Sequence, residues 1–220
     1  LPRAGMPVGG GPPVAAVGPS YGLVAFGVVA PRNLKRNADA RAGDVIILGK
    51  PLGVGIYSAA HKRGSLSAEG YRTLVASTTK LNTPGVALGT IDDVHALTDV
   101  TGFGLLGHLL EMCRGAGIGA HIDFSRVPMH PDVLELAANG CVTGASRRNF
   151  DAYGGDVALA AGIGDRERAL LTDPQTSGGL LVACAPDAVD SVLAIFRREG
   201  FATAAPIGRF VAGAPRVSVA

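Results

Sequence analysis

The sequence predicts a layered α/β or α+β domain. Short apolar segments typical of strands alternate with amphipathic helical patterns, and several of the helices follow one another in series. A Walker lysine motif does not occur, and the helices that follow one another in series disfavour a doubly wound dinucleotide-binding sheet. The 220 residues are 47% hydrophobic and 17% charged, so the chain carries enough apolar sequence for a sizeable core.

The first half of the chain begins with a loop and then predicts strands and helices in turn. Residues 1–20 are dominated by glycine, proline, alanine and valine, a composition typical of a loop, whereas residues 21–30 are apolar enough for a buried strand. Next come a strand over 44–50, helices over 56–62 and 68–80, and a short helix after Pro84. Ser67 is well placed to cap the helix that begins at residue 68.

The second half of the chain predicts further strands and helices around a turn at residues 144–150. The predicted strands cover residues 120–124, 180–184, 205–211 and 216–219. One predicted helix begins near residue 131 and ends at Gly140. Two others cover residues 165–171 and 187–199.

Composition excludes several classes of function. The net charge is +2 without a dense basic run, so no electrostatic footprint for nucleic acid is present. No apolar run approaches the roughly 20 residues that a membrane helix needs, so we expect no membrane partner. The three cysteines, Cys113, Cys141 and Cys184, are odd in number and widely spaced, which favours reduced thiols in a cytoplasmic protein.

Residues 96–114 form the most informative stretch of the chain. An apolar strand signal ends at Asp99, and a leucine-rich amphipathic helix is predicted from about Gly102 to Arg114. Thr101 is suited to cap this helix, and Gly102 and Gly104 leave the first turn open for a ligand. A helix start of this kind can bind an anion, and the Asp99 carboxylate could hold Mg²⁺ against phosphate oxygens. The alternative is an ordinary turn between a strand and a helix, without a ligand, and with His108 as a structural histidine.

Two long motifs resemble a known enzyme family. Residues 97–108, Leu-Thr-Asp-Val-Thr-Gly-Phe-Gly-Leu-Leu-Gly-His, and residues 173–181, Asp-Pro-Gln-Thr-Ser-Gly-Gly-Leu-Leu, resemble signatures of selenophosphate synthetase (selenide, water dikinase). The resemblance covers about residues 21 to 210 and implies the C-terminal domain of the aminoimidazole-ribonucleotide-synthetase-like ATPases. It implies ATP and selenide as substrates, with selenophosphate, AMP and phosphate as products. It also implies Mg²⁺ as cofactor, with Asp99 as one of its ligands.

The same resemblance divides the chain into two parts. Residues 1–38 would be a remnant of an N-terminal ATP-binding domain, and residues 39–220 would be the C-terminal synthetase-like α/β domain. Gly10 and Gly11 match a glycine loop that lines the nucleotide in the family, although two prolines replace its His and Thr. Thr101 and Gly102 are the other expected nucleotide-binding residues. Asn149 lies in a segment that resembles a family motif and either supports the cleft by hydrogen bonds or belongs to a plain turn.

The family's glycine-rich segment with a catalytic Cys or selenocysteine and a Lys has no counterpart in this sequence, so no catalytic residue is assigned. We therefore expect this chain to be a fragment that is inactive alone, whereas the full-length protein is expected to be a homodimer. Two alternatives stay open. One is a sister ATP-dependent synthetase of the same fold, acting in purine or thiamine synthesis or in hydrogenase maturation. The other is a non-catalytic domain that pairs with another subunit.

Overall fold

The computed structural model describes residues 26–220, which form one mixed seven-stranded sheet with helices packed on both faces. The strands are β1 (Val45–Leu48), β2 (Val94–Asp99), β3 (Gly119–Ile122), β4 (Val157–Leu159), β5 (Leu180–Cys184), β6 (Ala205–Val211) and β7 (Val217–Val219). The helices are α1 (Val54–Lys62), α2 (Ala68–Thr79), α3 (Pro84–Leu88), α4 (Gly104–Ala116), α5 (Val133–Ala138), α6 (Gly144–Tyr153), α7 (Asp165–Leu171) and α8 (Val189–Arg198).

The order of the strands places the two motif segments side by side. The sheet runs β2-β5-β1-β6-β3-β7-β4, so β2 is an edge strand of the described sheet. Both β1 and β2 pair antiparallel with β5, and they therefore run in the same direction. Asp99, the last residue of β2, lies opposite Leu180, the first residue of β5. The loops that follow β1 and β2 and the loop that precedes β5 consequently meet at one end of the sheet.

Two apolar cores lie on opposite faces of the sheet. Because side chains alternate along a strand, Ile46 and Leu48 of β1 join the core beneath α1 and α4, whereas Ile47 joins the core beneath α3 and α8. The stripe predicted on the central helix is fully buried in the first of these cores, as expected for an amphipathic helix. It consists of Leu105, Leu106, Leu109, Leu110 and Cys113.

Local sequence signals set several element boundaries. Ser67 caps α2, because its hydroxyl accepts a hydrogen bond from the backbone N–H of Gly70 at 3.0 Å. The strands predicted over 44–50, 180–184 and 205–211 are confirmed as β1, β5 and β6. Among residues 26–220, no helix combines the length and the apolar character that crossing a bilayer requires.

Some predicted elements were wrong. Residues 26–30 form no strand and are exposed, since no strand of the described sheet pairs with them, and residues 21–25 lie outside the described residues. The turn predicted over 144–150 is helix α6, which begins where the Thr143 hydroxyl accepts a hydrogen bond from the N–H of Ser146. Strand β4 was not predicted, because its three residues are too few to show an alternating pattern.

Candidate functional site

Asp99 lies at the exposed end of the sheet. It is the last residue of β2, as the sequence predicted, and it is exposed to solvent. The loop that follows contains Thr101, which is half-buried, and Gly102 and Phe103, which are exposed. The residues predicted to hold Mg²⁺ and phosphate therefore share one solvent-facing rim.

The two sequence motifs form a single interlocked unit behind this rim. The N–H of Val100 donates to the carbonyl of Gly179 at 2.9 Å, and the N–H of Gln175 donates to the carbonyl of Thr101 at 3.0 Å. The Asn149 amide nitrogen then donates to the carbonyls of Gly102 at 2.9 Å and Thr172 at 3.0 Å. The loop after Asp99 is thus fixed by hydrogen bonds to its backbone groups. Of the two alternatives left open for Asn149, the structure favours support by hydrogen bonds.

Two glycines allow the loops to approach this closely. Gly104 has φ of 71°, and a Cβ atom there would lie 2.6 Å from the carbonyl carbon of Thr172. A Cβ atom at Gly178 would overlap the carbonyl oxygen of Val100. Gly102 differs from both, because, apart from its chain neighbours, no atom of the described residues lies within 4 Å of the position that its Cβ would occupy. The open space that the sequence predicted is therefore present at Gly102, whereas the same prediction is wrong at Gly104, which packs against the backbone of Thr172.

The predicted capping role of Thr101 is wrong. Helix α4 begins at Gly104, and the residue at its N-cap is Phe103, whose side chain makes no capping hydrogen bond. The Thr101 hydroxyl instead lies 3.0 Å from Nε2 of His108, one turn into the helix. The positive φ of Gly104 moves the start of the helix two residues beyond the position expected from composition, so Thr101 stands outside its first turn.

The second motif, residues 173–179, stabilises the start of helix α1. Helix α1 begins after a glycine that offers no side chain for capping. Asp173 supplies the missing acceptor, because its Oδ2 accepts from the N–H groups of Gly55 at 2.8 Å and Ile56 at 3.3 Å. Gln175 Oε1 accepts from the N–H of Val54 at 3.2 Å. Two side chains distant in sequence therefore satisfy the free donors at the start of α1.

Burial governs the ionisation of Asp173. Its side chain is fully inaccessible, and desolvation raises the pKa of its carboxyl to about 7. Hydrogen bonds from Gln175, Ile56 and Gly55 act in the opposite direction without cancelling the effect of burial. Because it points into the start of α1, this carboxylate serves the scaffold rather than the rim where Asp99 lies.

Lys50, two residues after β1, binds the loop of residues 173–179. Its ammonium group donates to the carbonyls of Lys80 at 2.7 Å, Ser177 at 2.6 Å and Ser77 at 3.3 Å. Burial, with a smaller effect from the charge of Lys80, lowers the pKa of Lys50 to about 8. The loop is therefore tied to the end of α2. No side-chain pattern indicates this role, because the three acceptors are backbone atoms that lie 27 to 127 residues from Lys50 in the chain.

The residues at the rim fit a partial magnesium site. Among residues 26–220, no group of three or more His, Cys, Asp or Glu side chains could hold a metal ion by itself. Mg²⁺ commonly keeps several waters and binds through one or two carboxylates together with substrate phosphates. A single exposed carboxylate, Asp99, beside the open backbone at Gly102 fits that chemistry. The other expected nucleotide contacts, Gly10 and Gly11, lie outside the described residues.

Comparison with known proteins identifies the family. Residues 41–219 match the family described as AIR synthase related protein, C-terminal domain. The chain belongs to this family. The match agrees with the mixed α/β sheet and with the synthetase-like fold expected from the two motifs.

Two curated proteins that are similar to this chain are named selenide, water dikinase. The protein from Paraburkholderia xenovorans strain LB400 is 58% identical over 217 residues, which cover 99% of this chain and 61% of the relative. The protein from Burkholderia pseudomallei strain K96243 is 60% identical over 216 residues, which cover 98% of this chain and 61% of the relative. The chain therefore spans about three fifths of the length of these curated relatives.

A solved structure supports the fold. A crystal structure of the hydrogenase maturation protein HypE in complex with ATP matches with a TM-score of 0.57 and 20% sequence identity. The match covers 84% of this chain and 49% of that one. At this level of identity the likeness establishes the shared fold of the AIR synthase related proteins.

Proposed function

We propose that this chain forms part of a selenide, water dikinase, which makes selenophosphate, AMP and phosphate from selenide, ATP and water. The observation that carries the proposal is the identity of 58% and 60% with relatives of that name across nearly the whole chain. The exposed rim at Asp99 and Gly102 supports it from the side of the structure, because it offers a carboxylate and open backbone at one place.

Asp99 is the proposed magnesium anchor. When bound, Mg²⁺ neutralises phosphate charge and aligns the transferring group. The chain's contribution is to keep the carboxylate at a fixed place, and the next residue, Val100, is held by its hydrogen bond to Gly179. A phosphoryl-transfer site depends on such positioning more than on covalent chemistry.

Gly102 is the proposed point of closest approach to the nucleotide. Its carbonyl accepts a hydrogen bond from the Asn149 amide, and no atom of the described part of the chain obstructs the space on the side of its missing Cβ. A phosphate could therefore reach the backbone of this turn. Thr101 contributes its hydroxyl at the same rim. Gly10 and Gly11, homodimer formation, selenide binding and a cytoplasmic location belong to the same proposal and follow from the family resemblance.

A chimeric enzyme tests the proposal. The matched segment of the Paraburkholderia xenovorans relative is replaced by this chain, and selenophosphate formation from ATP and selenide is followed by phosphorus NMR. We expect the chimera to make selenophosphate and AMP in a Mg²⁺-dependent reaction. A folded chimera that turns over ATP without forming selenophosphate, or that is inert, contradicts the proposed function. The unmodified relative serves as the positive control.

The role of Asp99 is tested in the same chimera. Because a metal-bound carboxylate supplies on the order of a few kcal/mol, we expect Asp99→Asn to lower kcat/KM at least tenfold and to raise the Mg²⁺ concentration required. Asp92→Asn is the matched control, since Asp92 is an exposed aspartate just before β2, near the opposite end of that strand. Equal activity of the two variants would remove Asp99 from the site.

A further inference from the structure

A chain of polar groups runs from the rim into helix α4. The Thr101 hydroxyl lies 3.0 Å from Nε2 of His108, which is 8% exposed. The other ring nitrogen, Nδ1, is buried and has no hydrogen-bond partner among residues 26–220, and it lies 3.5 Å from Oε2 of Glu111. Oε1 of Glu111 in turn accepts a hydrogen bond from the Asn37 amide at 3.0 Å. Neither the capping role predicted for Thr101 nor the proposed nucleotide site accounts for this arrangement.

The carboxylate decides where the histidine carries its proton. A neutral imidazole has one N–H and one bare nitrogen, and the hydrogen bond at one position fixes the state of the other. A bare Nδ1 beside the Glu111 carboxylate would place two acceptors against each other. The proton is therefore favoured on Nδ1, where it faces a negative charge, and Nε2 is left as the acceptor.

An acceptor at Nε2 fixes the direction of the Thr101 hydroxyl. A hydroxyl has a single hydrogen, and if that hydrogen points to His108 it cannot also be donated to a ligand. The oxygen lone pairs of Thr101 then remain for the solvent-facing rim, two residues from Asp99. Lone pairs suit a cation or its bound water, whereas a phosphate oxygen requires a donor.

We propose that His108, with its proton held on Nδ1 by Glu111, is a positioning residue that makes Thr101 an acceptor at the rim. On this assignment Thr101 serves the cation or its water shell together with Asp99, and the phosphates are bound by the open backbone at Gly102. The identity of the ligand rests on the proposed function, whereas the hydrogen-bond direction rests on the geometry of Thr101, His108 and Glu111 alone.

The hydrogen-bond direction is tested on the 220-residue chain by long-range proton–nitrogen NMR of the histidine rings at neutral pH. The chain has 5 histidines, and the signals of His108 are those that disappear in His108→Gln. We expect a protonated Nδ1 and a bare Nε2. Glu111→Gln should shift the population toward the other tautomer, whereas Glu135→Gln, at an exposed glutamate on α5, should leave it unchanged. A wild-type ring protonated on Nε2 would overturn the proposal.

The consequence for the cation is tested in the chimeric enzyme. Loss of one polar contact is worth about 1.4 kcal/mol, so we expect Thr101→Val to raise the apparent KM for Mg²⁺ about tenfold, with a smaller change in the KM for ATP. Thr101→Ser should restore the wild-type value, because it keeps the hydroxyl. A rise confined to the KM for ATP would refute the acceptor role. If the chimera is inert while the NMR result is as expected, the proposed function fails and the positioning role of His108 stands.

Discussion

Gly104 offers the sharpest test of how the two motifs are packed. It begins α4 with φ of 71°, and a Cβ atom there would lie 2.6 Å from the carbonyl carbon, 2.8 Å from the carbonyl oxygen and 2.9 Å from the Cα of Thr172. All three atoms belong to backbone, so none can move aside by a side-chain rotation. Gly104→Ala therefore has to displace either the start of α4 or the loop that begins at Thr172.

The magnitude follows from two separate costs. A left-handed backbone conformation costs an alanine about 1–2 kcal/mol relative to glycine. Forcing an extra carbon into a close-packed site costs about 1–3 kcal/mol more. We expect Gly104→Ala to lower the free energy of unfolding by about 3 kcal/mol, which corresponds to a fall in Tm of roughly 6–12 °C for a domain of this size.

Gly102→Ala is the matched control, because it makes the same change two residues earlier in the same motif. Gly102 has no positive φ, and no atom of the described residues beyond its chain neighbours lies within 4 Å of its Cβ position. The free energy of unfolding of Gly102→Ala should therefore stay within about 0.5 kcal/mol of wild type. Urea unfolding followed by circular dichroism measures both variants. Equal stability of Gly104→Ala and Gly102→Ala would refute the interlocked packing of the motifs.

Two further predictions concern the side chains that hold this packing. Burial raises the pKa of Asp173 to about 7, above the ordinary aspartate value of 3.8, so its contribution to stability is complete below pH 3.8 and declines as pH rises toward 7. Asp173→Asn cannot ionise, and urea titrations at several pH values should show wild type losing up to about 4 kcal/mol relative to it over that interval; parallel curves would contradict the raised pKa. Asn149→Ala removes the donor shared by the carbonyls of Gly102 and Thr172 and should cost about 2–3 kcal/mol. Arg148→Ala, at an exposed neighbour on α6, should be nearly neutral in the same unfolding assay. A similar loss of stability in both variants would show that the two hydrogen bonds of Asn149 contribute nothing.

Local patterns predicted much of the fold, because periodicity and capping are properties of short segments. A few neighbouring residues were enough to predict the apolar stripe of α4, the Ser67 cap of α2 and the strand at 180–184. The strand predicted over 21–30 shows the limit of this approach. An apolar run forms a strand only when another strand pairs with it, and the described part of that run, residues 26–30, has none within the sheet.

The candidate site was predicted in part. Asp99 lies at the exposed end of β2, and the backbone at Gly102 is open, as their places in the motif indicated. The capping role predicted for Thr101 was wrong, although a threonine before a glycine-rich helix start is normally a cap. Its hydroxyl contacts His108 instead, since the positive φ of Gly104 delays the first turn.

The sequence by itself indicated most of the strands and helices, and it located the carboxylate and the open turn that define the rim. Only the tertiary structure decided that residues 173–179 serve as scaffold, with Asp173 capping α1 and Lys50 binding three carbonyls. The physical reason is that these partners are mostly backbone groups contributed by distant segments. Backbone donors and acceptors are the same at every residue, so no pattern of side chains reveals which of them will meet.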